Sequence, residues 1–207
     1  MGAMLDSYYS QDLVFFSILV AVLASYTALA MTSRVSQSRG RAAALWLTGG
    51  AFAMGFGIWS MHFIGMLAFN LPIALGYDLT LTGLSLVAAI GSSAFALWLV
   101  SRPQLPWRHI AGGALLMGAG IATMHFIGMA AMKIDPGIHY HRGLFALSIL
   151  IAVLASGAAL WIAFRLRNST PRAFFRKAVA SLVMGAAIIG MHYTGMAAMR
   201  MQPGIQY

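Results

Sequence analysis

The side chains best equipped for chemistry in this 207-residue sequence are three histidines, each set in the same run of residues. Met54–Phe69 reads MGFGIWSMHFIGMLAF, Met117–Met132 reads MGAGIATMHFIGMAAM and Met184–Met199 reads MGAAIIGMHYTGMAAM. All three share M-G-x-x-I-x-x-M-H-x-x-G-M-x-A. On a helix, positions i, i+4 and i+7 lie on one face. That face carries His125, Met129 and Met132 in the second copy, and His192, Met196 and Met199 in the third. In the first it carries His62, Met66 and Phe69, so one sulfur is missing. Met61, Met124 and Met191 lie about 100° round the helix from each histidine. Neutral imidazole suits copper, zinc, iron and nickel, whereas thioether favours Cu(I), so a His/Met set points to copper first. Zinc could take three imidazoles and a water but would leave the methionines without a role. Haem held by two histidines, or by His and Met, is the rival. The spacing leaves open whether one ion is shared or each copy holds its own.

The elements that must position these side chains follow from composition. Sixty per cent of the chain is apolar and 8% is charged, against about 45–50% and about 25% in soluble domains. Too little charged surface is left for a soluble enzyme or a nucleic-acid-binding domain, despite a net charge of +9. With no cysteine, disulfides, thiolate zinc sites and iron–sulfur clusters are excluded. The pattern is that of an integral membrane protein. Apolar runs long enough to cross a bilayer fall at about 12–33, 43–70, 79–101, 107–132, 143–166 and 174–201. Pro72, Pro103, Pro106, Asp135-Pro136-Gly137 and Thr170-Pro171 punctuate the connections.

The odd spans repeat as well: Ser17–Leu29 matches Ser148–Leu160 closely, and Ser85–Leu97 is a weaker third copy. The unit is therefore a helix pair used three times (about 12–70, 79–132 and 143–201). The expected fold is an all-α six-transmembrane-helix bundle of three parallel repeats about a pseudo-threefold axis along the membrane normal. Such an axis brings His62, His125 and His192 together at one depth. Gly55, Gly118 and Gly185 are expected to let the even spans approach one another closely.

Ten of the thirteen basic residues follow spans one, three and five: Arg34, Arg39, Arg41, Arg102, Arg108, Arg165, Arg167, Arg172, Arg176 and Lys177. Asp6, Asp12, Asp78 and Asp135, the four acids, lie at the opposite ends. The positive-inside rule places the basic loops in the cytoplasm, both termini outside, and anionic lipid headgroups as partners. The histidines then lie roughly 12 Å below the outer ends of their spans, at about 1.5 Å per residue. A methionine is an ordinary core filler, but three intramembrane histidines at one depth are expensive and functional by default.

The motifs Met61-His62-Phe63-Ile64, Met124-His125-Phe126-Ile127 and Met191-His192-Tyr193-Thr194, the last spelling MHYT, resemble the MHYT family of bacterial membrane sensor domains. The resemblance covers almost the whole chain. It implies copper-bound sensing of a diatomic gas (oxygen, carbon monoxide or nitric oxide), with His62, Met66, His125, Met129, His192 and Met196 as ligands. Met61, Met124, Met191, Met132 and Met199 would be additional ligands. Phe-Ile in place of Tyr-Thr in two copies argues against those side chains as ligands throughout. Such domains commonly precede cytoplasmic cyclic-di-GMP synthesis or hydrolysis domains, the implied partners in cis; a homodimer is also allowed. The implied location is the bacterial inner membrane. With the C-terminus outside, a seventh span would be needed to reach the cytoplasm, so the chain reads as a sensory fragment without catalysis of its own.

Other residues carry less. His139 and His141 flank a tyrosine in an outer loop and read as solvated, and His109 reads as interfacial. Trp46, Trp98, Trp107 and Trp161 read as an aromatic belt. Ser25, Ser93 and Ser156 recur in the odd spans and read as hydrogen bonds between helices. The functional alternatives are a copper transporter with a methionine-lined path and a haem-binding electron carrier.

Overall fold

The computed structural model describes residues 8–70, 76–133, 138–140, 142–168 and 172–201. Six long helices carry the fold: α1 (Gln11–Gln37), α2 (Gly40–Ala68), α3 (Leu79–Val100), α4 (Trp107–Ala130), α5 (Arg142–Arg165) and α6 (Ala173–Ala198). Each is long and apolar enough to span a bilayer, and the ends fall within a few residues of the apolar runs. The protein is an all-α membrane bundle.

Each helix packs on its neighbours in chain order, and α6 closes against α1, so odd and even helices alternate around a ring. A short antiparallel ladder closes each repeat on itself. Residues before an odd helix pair with those after the following even helix: β1 (Tyr8–Tyr9) with β2 (Phe69–Asn70), β3 (Gly76–Tyr77) with β4 (Met132–Lys133), and β5 (Ile138–Tyr140) with β6 (Met199–Met201). The repeating unit is therefore β-α-α-β. All three ladders lie at one end of the bundle. The opposite end carries Arg34, Arg41, Arg108 and Arg165 at helix termini, with tight turns between. Gly40 begins α2 at φ +58°, a conformation that favours glycine. Asp78 caps α3 by accepting from Leu81 N–H at 3.0 Å.

Side-chain sorting is that of a protein in lipid. Phe15, Leu23, Phe52, Leu84, Val87, Leu116, Leu154 and Leu182 face outward, while the interior is rich in Ala, Ser, Met and His, with a leucine and valine cluster towards the arginine end. Small inner residues let helices approach where water gives no hydrophobic drive between them. The repeated glycines do this work, though against different partners from those expected. A Cβ at Gly55 or Gly118 would collide with Ile90 or Val153, backbone included, and one at Gly185 with the side chain of Val22. Those residues occupy equivalent places on α3, α5 and α1, the odd helices of the adjoining repeats. The even helices are thus not pressed on one another by these glycines; each is pressed on the next repeat.

At the arginine end, Trp46, Trp98, Trp107 and Trp161 each lie under a guanidinium, from Arg34, Arg102, Arg108 and Arg165, at 5.1–5.7 Å. This arrangement of aromatic plane and cation suits a headgroup boundary. His109 is exposed at the same end. The side chain of His139, the residue His141 and Pro72, Asp135, Pro136, Gly137, Thr170 and Pro171 lie outside the described ones.

Candidate metal centre

Each even helix brings one histidine to the axis of the ring. His62, His125 and His192 are 1%, 0% and 0% exposed. Their Nδ1 atoms converge, at 3.1 Å between His125 and His62 and 3.3 Å between His62 and His192. Ring centroids stand 4.7, 5.2 and 5.4 Å apart with planes 73°, 87° and 87° to one another, so the rings meet edge to face. One nitrogen from each ring lies within 4.8 Å of the others, and among the described residues no other His, Cys, Asp and Glu side chains form such a group.

This geometry fits a first-row transition metal. Three nitrogens held about 2.0 Å from one ion stand about 3.3–3.5 Å apart, close to the two Nδ1–Nδ1 separations of 3.1 and 3.3 Å. A ring ligating through Nδ1 keeps its proton on Nε2. The three Nε2 atoms are buried and make no hydrogen bond of ordinary geometry. Their surroundings explain a motif position to which the sequence reading gave no role, the glycine three residues after each histidine. A Cβ at Gly128 would strike His62 Nε2, and one at Gly65 would strike His192 Nε2. The glycine of one repeat is the recess for the imidazole of another, and the Gly65 main chain is the polar neighbour of the His192 ring. Gly195, the third counterpart, lies outside the described side chains. Exact recurrence of H-x-x-G in all copies was the available signal.

The methionines divide into layers. Met66, Met129 and Met196 are buried, about 6 Å beyond the histidines towards the ladders, at 1.5 Å per residue. Met61, Met124 and Met191 are buried too. Met132 and Met199 differ from expectation. The helices end at Ala130 and Ala198, and these two residues open β4 and β6, so the i+7 relation to the histidines does not hold. Their side chains lie outside the described ones.

The residue after each histidine belongs to the helix packing. Tyr193 Oη lies 3.1 Å from Ser17 Oγ on α1, and Phe126 stacks on Phe145 of α5 with centroids 4.6 Å apart. Phe63 lies against Trp59, whose Nε1 donates to Ser85 Oγ on α3 at 3.1 Å. Thus Ser17 and Ser85, rather than Ser25 and Ser93, join helices. Ser25 and Ser93 donate to Ala21 and Ala89 carbonyls one turn back on their own helices, at 2.8 Å each, which corrects the interhelical reading. Ser156 Oγ is buried without a partner.

The family description "bacterial signalling protein N terminal repeat", MHYT, matches residues 1–45, 55–113, 118–175 and 185–207. The chain belongs to the MHYT family. Among MHYT relatives, the bifunctional diguanylate cyclase/cyclic di-GMP phosphodiesterase MucR of Pseudomonas aeruginosa is 67% identical over 195 residues, 94% of this chain and 28% of MucR. The cyclic di-GMP phosphodiesterase NbdA of the same organism is 46% identical over 192 residues, 92% of this chain and 24% of NbdA. The signaling protein YkoW of Bacillus subtilis is 41% identical over 192 residues, again 92% of this chain and 24% of the relative. This MHYT chain therefore spans about a quarter of the length of the curated relatives it matches. No solved structure matches it.

Proposed function

We propose that the chain is a membrane-embedded sensory module that holds copper between His62, His125 and His192. In this reading it responds to a diatomic gas (oxygen, carbon monoxide or nitric oxide) or to redox state, and signals to a cyclic-di-GMP domain in cis. The convergence of three Nδ1 atoms at 3.1 and 3.3 Å carries the reading. Copper, when bound, supplies a redox-active centre with affinity for small diatomic molecules. The chain's residues supply three neutral donors, a dry surround, and methionine sulfur within a turn (Met66, Met129 and Met196), a soft set that favours Cu(I). Relatives named for cyclic-di-GMP synthesis and breakdown support the output.

The rivals fit less well. A porphyrin would have to slide between two imidazoles, and here the rings are in edge contact. A copper path would need donors through the arginine-end half. In that half the donors stop at the thioethers of Met54, Met117 and Met184, and the cluster of Leu29, Leu99, Val100, Leu105 and Leu160 around Met184 carries no His, Cys or acid.

Purified in detergent, the chain is expected to carry close to one copper per molecule by elemental analysis, with no Soret absorption. A haem band, or zinc in place of copper, would overturn the assignment.

The orientation proposed is ladders outside and arginines inside, in the bacterial inner membrane. Single cysteines introduced at Arg39 and Arg167 are expected to resist an impermeant maleimide in intact cells and to label after permeabilisation. Labelling of either from outside would invert the topology and with it the side from which the centre is reached.

A further inference from the structure

A cavity of about 100 Å³ lies on the bundle axis on the arginine side of the histidines, and all six helices line it. Its walls repeat three times. Ile58, Ile121 and Ile188 stand one turn below the histidines, and Met54, Met117 and Met184 two turns below. Opposite them each odd helix presents an alanine at an equivalent place, Ala28, Ala96 and Ala159, with Leu97, Val100 and Leu160 also in the wall. Unfilled space costs stability, and one bulky residue at any of these alanines would remove it. Instead the space is kept in every repeat.

The chemistry of the walls defines the occupant. A buried water needs two to four polar partners. Of the lining hydroxyls, Ser25 and Thr32 are committed to carbonyls of their own helix at 2.8 Å each. Ser156 Oγ, on a residue 3% exposed, is the one left without a partner. One hydroxyl among methionine, isoleucine, leucine, valine and alanine is too little for water. Polarisable thioethers and methyl groups suit a small, weakly hydrated molecule. An engineered apolar cavity of about 150 Å³ stays dry and takes up xenon or benzene, so this one has room for a smaller guest.

We propose that this chamber binds one small apolar molecule of the diatomic-gas class, directly beneath the imidazole triad. That the guest is the sensed gas rests on the proposed function; capture of an apolar guest does not. The chamber gathers a gas dissolved in the bilayer and holds it on the dry side of the histidines, on the axis shared by all three repeats.

Xenon is the probe. Crystals of the full chain, with and without copper, are to be pressurised with xenon. Anomalous density is expected between Met54, Met117 and Met184 in both forms, and dioxygen under pressure should displace it. In Ala28→Leu, whose side chain fills the space, the density should vanish while copper content is unchanged. Ala159→Leu fills it from another helix should Ala28→Leu not fold. Ordered water in the chamber, or no xenon there in the wild type, overturns the proposal. A wild-type chain that takes up xenon but cannot be loaded with copper upholds the chamber and refutes the metal reading; one that takes up copper but no xenon does the reverse.

Discussion

Replacing any one of His62, His125 or His192 by alanine is expected to remove nearly all bound copper, a loss of more than tenfold in metal content rather than of one third. The two outcomes separate one shared ion from three independent ones. The shared reading follows from His62, whose Nδ1 lies 3.1 Å from one partner ring and 3.3 Å from the other. No ring then has a private site, and each deletion breaks the common set. Met129→Leu, nearly equal in volume, should leave total metal less affected and weaken chiefly Cu(I). Elemental analysis of folded, monodisperse variants is the measurement. Wild-type copper in the triple variant would reduce these residues to core packing.

The second large effect is expected from a single methyl group. Gly128→Ala places a Cβ against His62 Nε2, in a wall with no slack. Overpacking of this kind costs about 1–3 kcal/mol, and relief requires the imidazole to move. Displacing His62 separates the Nδ1 atoms, so copper affinity should fall at least tenfold along with thermal stability. Gly65→Ala should do the same through His192. Gly83→Ala and Gly91→Ala, where nothing lies within 4 Å of the added carbon, should be neutral or stabilising by up to about 1 kcal/mol, as expected of glycine in a helix. Equal melting temperatures and equal copper in Gly128→Ala and Gly91→Ala would sink the recess as a determinant of the site.

What the sequence made legible is what repeats and what partitions into lipid. Apolar length marked α1 to α6 within a few residues, and the threefold motif placed His62, His125 and His192 at one depth. What stayed hidden depends on the neighbour across the interface. Gly128 has no meaning along its own helix; only the arrival of His62 from another repeat gives it one. Gly55, Gly118 and Gly185 were legible as close-approach positions, but their partners lie on odd helices and not on even ones. Ser93 could bond its own helix or another with the same periodicity, and a hydroxyl choosing its i−4 carbonyl leaves no trace in the spacing. Met132 shows a different limit. The i+7 relation assumes a helix that continues, and α4 stops two residues earlier to begin a ladder. The axial chamber was invisible because it is a property of distances between six helices, not of any residue.

The recess built by one repeat for another's imidazole also bears on how the protein is made. His192 rides on the last of the six helices to be synthesised, and its place against Gly65 is on the first even helix. Until α6 has inserted and docked against α1, a growing chain holds two histidines facing an open wall. Synthesis runs from the N-terminus, so the centre comes into being only when the ring shuts. Copper loading of the proposed centre is then expected to report completed insertion, and a chain truncated before α6 is expected to bind none.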